Sequence, residues 1–160
     1  MKQLNNFIQE KLKINKETKI NQYLYQPQTR NELKDLLEKL IKERGNNADL
    51  NDIDVSNIKD FSFLFSYGNL KEFDGDISDW DVSNAGTFDA MFYTSKFSGK
   101  NSDLSHWNVN NAYCLACMFE RSAFNQKQQI ENWNIHKGAE LEGIFHACPL
   151  EKNPPSWYYE

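Results

Sequence analysis

With 160 residues, 39% of them apolar and 26% charged, the chain is long enough for one domain or a short capped repeat array, without support from disulfides. Its three cysteines, an odd number, exclude a closed disulfide framework and predict free thiols in a reducing compartment. The net charge of −5 divides unevenly: residues 1–45 hold 10 Lys or Arg against 6 Asp or Glu (+4), and residues 46–160 hold 8 against 17 (−9). That balance disfavours direct nucleic-acid binding along most of the chain and favours a basic partner.

The opening segment MKQLNNFIQEKLKI contains no continuous apolar run, and no stretch approaches the roughly 20 apolar residues of a membrane span. The expectation is therefore a soluble, cytoplasmic protein without membrane contact. Leu4, Phe7, Ile8 and Leu12, at i, i+3, i+4 and i+8, predict a short amphipathic helix. Lys19 to Gln26 reads as extended, and Pro27 breaks the chain. Thr29 and Glu32 carry the capping-box signature, in which two side chains satisfy free backbone donors at a helix start. Leu33, Leu36, Leu37, Leu40 and Ile41 continue at helical spacing until Gly45, which predicts a left-handed stop. Residues 1–48 thus read as a helical N-terminal cap.

A four-fold repeat occupies residues 49–150. Ile53, Trp80, Trp107 and Trp133 stand 27, 27 and 26 residues apart. The same register aligns Leu50, Ile77, Leu104 and Ile130 three places earlier, and Val55, Val82, Val109 and Ile135 two places later. Further columns hold Phe61, Phe88, Leu115 and Leu141; Leu64, Met91, Met118 and Ile144; Phe65, Phe92, Phe119 and Phe145; and Leu70, Phe97, Phe124 and Leu150. Periods of this length signal stacked units that bury one shared core. The alternation at Trp80, Asp81 and Val82 predicts a short strand in each unit, and Phe88 with Met91-Phe92 predicts a short helix. The expected architecture is an α/β solenoid of four leucine-rich-repeat-like units of 26–27 residues, with short parallel strands, short helices and the N-terminal α-helical cap. Residues 151–160, with Pro154, Pro155, Trp157, Tyr158 and Tyr159, read as an aromatic C-terminal cap over the open end. Closure at both ends predicts a monomer.

The segment Asp76-Ile-Ser-Asp-Trp-Asp-Val-Ser-Asn84, followed by Met91-Phe92 and Phe97, resembles the repeat of the BspA-type leucine-rich-repeat surface proteins, and Asp103 to Asn125 matches nearly as well. The resemblance covers about residues 49–150. It implies a leucine-rich-repeat-like solenoid whose exposed strand face binds other molecules, and it carries no catalytic residues.

The Trp column falls on the same side as the Val column, which assigns it to the core rather than to base or sugar stacking. Residues flanking it point the other way: Asp52, Asp54 and Ser56, then Asp79, Asp81 and Ser83, then His106, Asn108 and Asn110, then Asn132, Asn134 and His136. This row is the candidate partner-binding face, acidic at one end and amide-rich at the other. Strands about 4.8 Å apart would make the Asp pairs near neighbours that a cation or a basic partner relieves. The competing reading is a solvated face whose Asp and Asn residues shape turns.

Cys114 and Cys117 form one CxxC without a second pair, short of the four ligands zinc needs. In register, Cys117 aligns with Ala90 and Gly143 and Cys148 with Ser95 and Ser122, which predicts small interior slots. No phosphate loop, nucleophile elbow or metalloprotease helix appears. No enzyme activity, catalytic residue, metal or cofactor is expected.

The function expected is a non-catalytic protein-binding module that offers an acidic-to-polar concave sheet face to a basic protein, including a nucleic-acid-processing enzyme. Alternatives are a small intracellular inhibitor of the phage or mobile-element type that blocks the basic channel of a defence nuclease, as anti-CRISPR proteins do, and a cell-surface adhesin fragment.

Overall fold

The computed structural model describes residues 23–159. The helix predicted at Leu4 to Leu12 and the first residues of the extended segment from Lys19 lie outside the described residues.

The helix α1 spans Arg30–Arg44 and buries Leu33, Leu37, Leu40 and Ile41, the face its periodicity predicts. Thr29 caps it by accepting the Glu32 N–H at 3.2 Å. The Glu32 carboxylate accepts from Gln28 N–H at 2.8 Å, one residue earlier than a reciprocal capping box would use. Gly45 ends the helix at φ +90°, giving its N–H to the Ile41 carbonyl, in a conformation that side chains disfavour.

Among the described residues no strand or sheet forms, so the expected α/β solenoid of strand-plus-helix units is overturned. Besides α1 there is one short α-helix, α2 (Lys127–Ile130), and there are 3-10 turns at Gly68–Glu72, Leu104–His106 and Ser156–Tyr159. Strand-like pairing is limited to isolated parallel bridges: Tyr25 with Ile53, Asp49 with Asp76, Asp60 with Thr87, Thr87 with Cys114, and Cys114 with Glu140. The units do stack on one another, through two kinds of seam that replace the predicted strand and helix.

Where a strand was expected, the backbone donors are occupied locally. Trp80 N–H bonds the Ile77 carbonyl at 3.3 Å, Ser83 N–H bonds Asp81 Oδ1 at 3.0 Å, and Ala85 N–H bonds the Val82 carbonyl at 2.9 Å. The next unit repeats this with Trp107 on Leu104, Asn110 on Asn108 Oδ1 and Ala112 on Val109. Short polar side chains compete with sheet ladders in this way, and the period of two survives without a strand. Side chains make the seam instead. The indole N–H groups of Trp80, Trp107 and Trp133 donate to the carbonyls of Leu50, Ile77 and Leu104 in the preceding unit, at 2.9, 3.2 and 3.0 Å. Asn84 and Asn111 Nδ2 likewise donate to the carbonyls of Ser56 and Ser83.

Where a helix was expected, the donors point to the next unit. Phe61, Phe63 and Phe65 N–H bond the carbonyls of Thr87, Asp89 and Met91; Phe88, Ala90, Phe92 and Thr94 bond those of Cys114, Ala116, Met118 and Glu120; and Leu115, Cys117, Phe119 and Arg121 bond those of Glu140, Glu142, Ile144 and His146. All these bonds measure 2.8–3.0 Å. A helix would need the same N–H groups for carbonyls four residues back. Left-handed residues make the alternative geometry possible: Phe63, Ala90, Cys117 and Gly143 in one column, and Thr94, Arg121 and Ala147 in another, with φ from +50° to +67°.

Between the seams lies the core. Phe65, Phe92, Phe119 and Phe145 stack with centroids 5.4, 5.6 and 6.1 Å apart and planes within 5° of parallel. A second column runs Phe73, Phe97, Phe124 at 6.3 and 6.1 Å. Phe73, not Leu70, is the first ring of that column, because the turn at Gly68–Glu72 lengthens the stretch before the ring while the return to Trp80 is correspondingly shorter. Trp80, Trp107 and Trp133 are buried, as their column predicts.

Candidate acidic interaction face

The local turns that displace the strands also arrange the carboxylates. Asp49, Asp54, Asp76, Asp81 and Asp103 each accept, through Oδ1, the N–H two residues ahead, at 2.9–3.0 Å. These turns fix the carboxylates on the flank of the stack beside the Trp seam. Of the predicted partner-binding residues, Asp52 and Asp79 come together with Asp49, Asp76, Asn51 and Arg44 around an open depression of about 500 Å³. Asp52 is held there by a bidentate pair with Arg44, at 3.0 and 2.9 Å. The Arg44 guanidinium also lies 5.9 Å from the centroid of the Tyr25 ring, a cation–π distance.

Asp54 and Asp81 lie toward Tyr23. The Tyr23 phenol is pushed above its usual pKa, first by burial and then by Asp54, Asp81 and Asp79. The segment around Tyr25 runs parallel to the first unit, with Leu24 N–H on the Asp52 carbonyl and Asp54 N–H on the Tyr25 carbonyl. The Asp52 carbonyl and the Asp54 N–H at the edge of the first unit are thereby covered. His106 ends the 3-10 turn Leu104–His106, and Asn108 is exposed while its Oδ1 accepts the Asn110 N–H at 3.1 Å, as Asp81 does for Ser83. Asn132 and Asn134 are exposed. Turn-shaping and a charged face therefore coexist: the same carboxylates that close the turns with one oxygen keep their charge at the surface.

Sequence reasoning missed Asp49, Asp76 and Arg44. The first two sit four places before Ile53 and Trp80 in the register, a recurrence that could have found them. Arg44 is brought in by how α1 lies against the first unit, which no local pattern announces.

The thiols of Cys114, Cys117 and Cys148 are free. Cys114 and Cys148 are buried, but Cys117 is only half-buried. It shares a left-handed backbone, at φ +54°, with Phe63, Ala90 and Gly143, so its column is defined by conformation rather than by a small interior slot. The Cys117 thiol is pushed up to about 11, first by burial and then by the Glu120 carboxylate, so it stays protonated at neutral pH. Among the described residues no group of three His, Cys, Asp or Glu side chains is placed to hold a metal, and no helix is long and apolar enough to cross a membrane.

No curated protein and no solved structure matches the chain significantly. The pattern of a protein family does match, over residues 31–157, from the start of α1 to Trp157 in the tail, and so takes in all four units. The chain belongs to that family, described as "Mycoplasma protein of unknown function, DUF285".

Proposed function

We propose that the protein is a non-catalytic binding module that presents its acidic flank to a basic surface of a protein partner. The observation that supports this most is the convergence of Asp49, Asp52, Asp76 and Asp79 on one depression whose lining holds a single cation, Arg44. Like charges gathered at a surface repel, and a partner rich in Lys or Arg relieves the repulsion while gaining on-rate and orientation. Binding of this kind weakens with salt.

Affinity capture from a native lysate tests it, with Asp52, Asp54, Asp79 and Asp81 changed together to Asn in a parallel sample. Asparagine keeps the Oδ1 acceptor that closes the turns, so the change removes charge with little loss of shape. Retention of a basic protein by the wild type and its loss by the variant is the expected result; equal capture by both would overturn the assignment. A sharper form makes the partner a nucleic-acid-processing enzyme whose basic channel receives the acidic flank in the cytoplasm. Nucleic acid should then compete with this protein for the enzyme, and coexistence at every ratio would reject that form.

The likeness of Asp76 to Asn84 to the BspA-type surface repeat favours a second reading, a cell-surface adhesin that uses the same flank on an extracellular partner. Protease treatment of intact cells separates the two: digestion of the chain supports the surface, protection the cytoplasm.

A further inference from the structure

The backbone seam has a direction. At the alternating positions Phe61 to Phe65, Phe88 to Thr94 and Leu115 to Arg121 the N–H groups point toward the higher-numbered unit and the carbonyls toward the lower, so these peptide dipoles align along the stack. Bonds at the two ends of each row, such as Gly86 N–H to the Lys59 carbonyl and Ala123 N–H to the Ser95 carbonyl, run the other way. The carbonyl end, in the first unit, is met by a cation: Arg30 Nε donates to the Ser62 carbonyl at 2.7 Å. At the opposite end, in the fourth unit, the equivalent donors are the N–H groups of Leu141, Gly143, Phe145 and Ala147. They receive no acceptor from any described residue, whereas their counterparts Leu115, Cys117, Phe119 and Arg121 are all bonded. The aromatic tail covers the rings here, Trp157 and Tyr158 packing on Phe145 at 5.8 and 5.5 Å, but its described residues make no hydrogen bond to that backbone edge.

Beside that edge is a cleft of about 510 Å³ lined by Cys117, Gly143, Phe145, His146 and Tyr158, with Glu120, Glu142 and Glu151 around it. Glu120 lies 3.8 Å from Arg121 Nε and Glu151 3.2 Å from His146 Nδ1, so the carboxylates still outnumber the cations. Successive donors on an alternating backbone commonly bind anions. Three carboxylates oppose an anion here and favour a ligand that is a neutral acceptor at its backbone and positive at its side chains. We propose that this open edge and cleft form a docking site for an extended basic peptide segment of a partner protein. Its backbone carbonyls take the four free N–H groups as a fifth row of the seam, and its Lys or Arg side chains meet Glu120, Glu142 and Glu151. This is strand addition carried out on a turn-built edge. The site is separate from the acidic depression near Arg44, so either can fail without the other.

The test uses the full chain labelled with nitrogen-15 and an acetylated, amidated Lys-Ala-Lys-Ala-Lys-Ala-Lys peptide. The expected result is saturable shifts and slowed hydrogen exchange at the amides of Leu141, Gly143, Phe145 and Ala147. These should persist in the Asp52, Asp54, Asp79, Asp81 to Asn variant and be lost at the same peptide concentration when Glu120, Glu142 and Glu151 become Gln. Shifts confined to the flank around Asp49 to Asp81, or no protection of the four amides at saturation, would overturn the proposal. Two further results would overturn it: equal protection by inorganic phosphate alone, which makes the edge an anion site, and protection that grows with protein concentration alone, which makes the occupant a second copy.

Discussion

Each unit is joined to its neighbours along two flanks that differ in what does the joining. On the Trp flank, most backbone donors close local turns, and side chains cross to the preceding unit. On the left-handed flank, backbone donors cross directly, and side chains add only scattered crossings such as the Ser62–Thr87 hydroxyl pair at 3.1 Å. A seam made by side chains can be cut by substitution at a single position, and it can tolerate an irregular unit. A seam made by backbone is indifferent to most side chains but imposes unusual dihedrals at fixed columns. The column Phe63, Ala90, Cys117 and Gly143 shows the second property, sharing a backbone conformation and almost nothing chemically. The indole column shows the first. It extends to Trp157, which donates to the Ile130 carbonyl at 2.7 Å although the tail keeps no other repeat column.

The largest effect should come from cutting the Trp flank at its centre. Trp107→Ala removes a buried ring and its crossing bond, and a loss of about 3–5 kcal/mol is expected from urea denaturation. Trp107→Phe keeps much of the bulk and deletes only the indole donor. The Ile77 carbonyl that receives it retains the local bond from Trp80, so that part of the loss should be about 1 kcal/mol beyond the change in packing. Equal losses for the two variants would mean that the crossing bond, not the ring, dominates the seam.

The repeat period, the buried columns and α1 were legible in the sequence because burial and helix capping leave periodic apolar and polar marks. The absence of strands was not. Period two at Trp80, Asp81 and Val82 records which side chains are buried, and it is the same whether the N–H groups pair laterally or close turns on Asp81 and Val82. The left-handed columns were hidden because Phe, Ala, Cys, Thr and Arg occupy them, with glycine only at Gly143. Of the face, Asp52, Asp54, Asp79 and Asp81 could be read from their places beside the Trp column. Arg44 could not, because its approach to Asp52 depends on how α1 lies against the first unit.

An intermediate effect tests the left-handed flank through its thiol. Cys117 has a folded-state pKa of about 11 against an ordinary value of 9.0, raised chiefly by burial. The folded protein therefore holds the proton more tightly than the unfolded chain. Stability from this group is fully present below about pH 9 and is lost as the pH rises toward 11. Iodoacetamide labelling followed by peptide mapping should find Cys117 slow to react at pH 8 in the native protein and fast in urea. Rapid native labelling at pH 8 would mean that the flank opens around this residue.

The smallest effect concerns the dihedrals themselves. Thr94 is exposed and β-branched, yet it sits at φ +56°, where an L side chain costs about 1–2 kcal/mol. Thr94→Gly removes that cost and keeps the N–H bond to the Glu120 carbonyl, while the freer unfolded chain takes back about 0.4–1 kcal/mol. The net expectation is a gain of roughly half a kcal/mol, seen as a small rise in urea midpoint with an unchanged slope. A loss would mean that the threonine side chain holds the turn in place, so that the left-handed flank, like the Trp flank, depends on its side chains. A gain means that the crossing N–H bonds impose the dihedral and the side chain merely tolerates it, which is the distinction between the two flanks reduced to one residue.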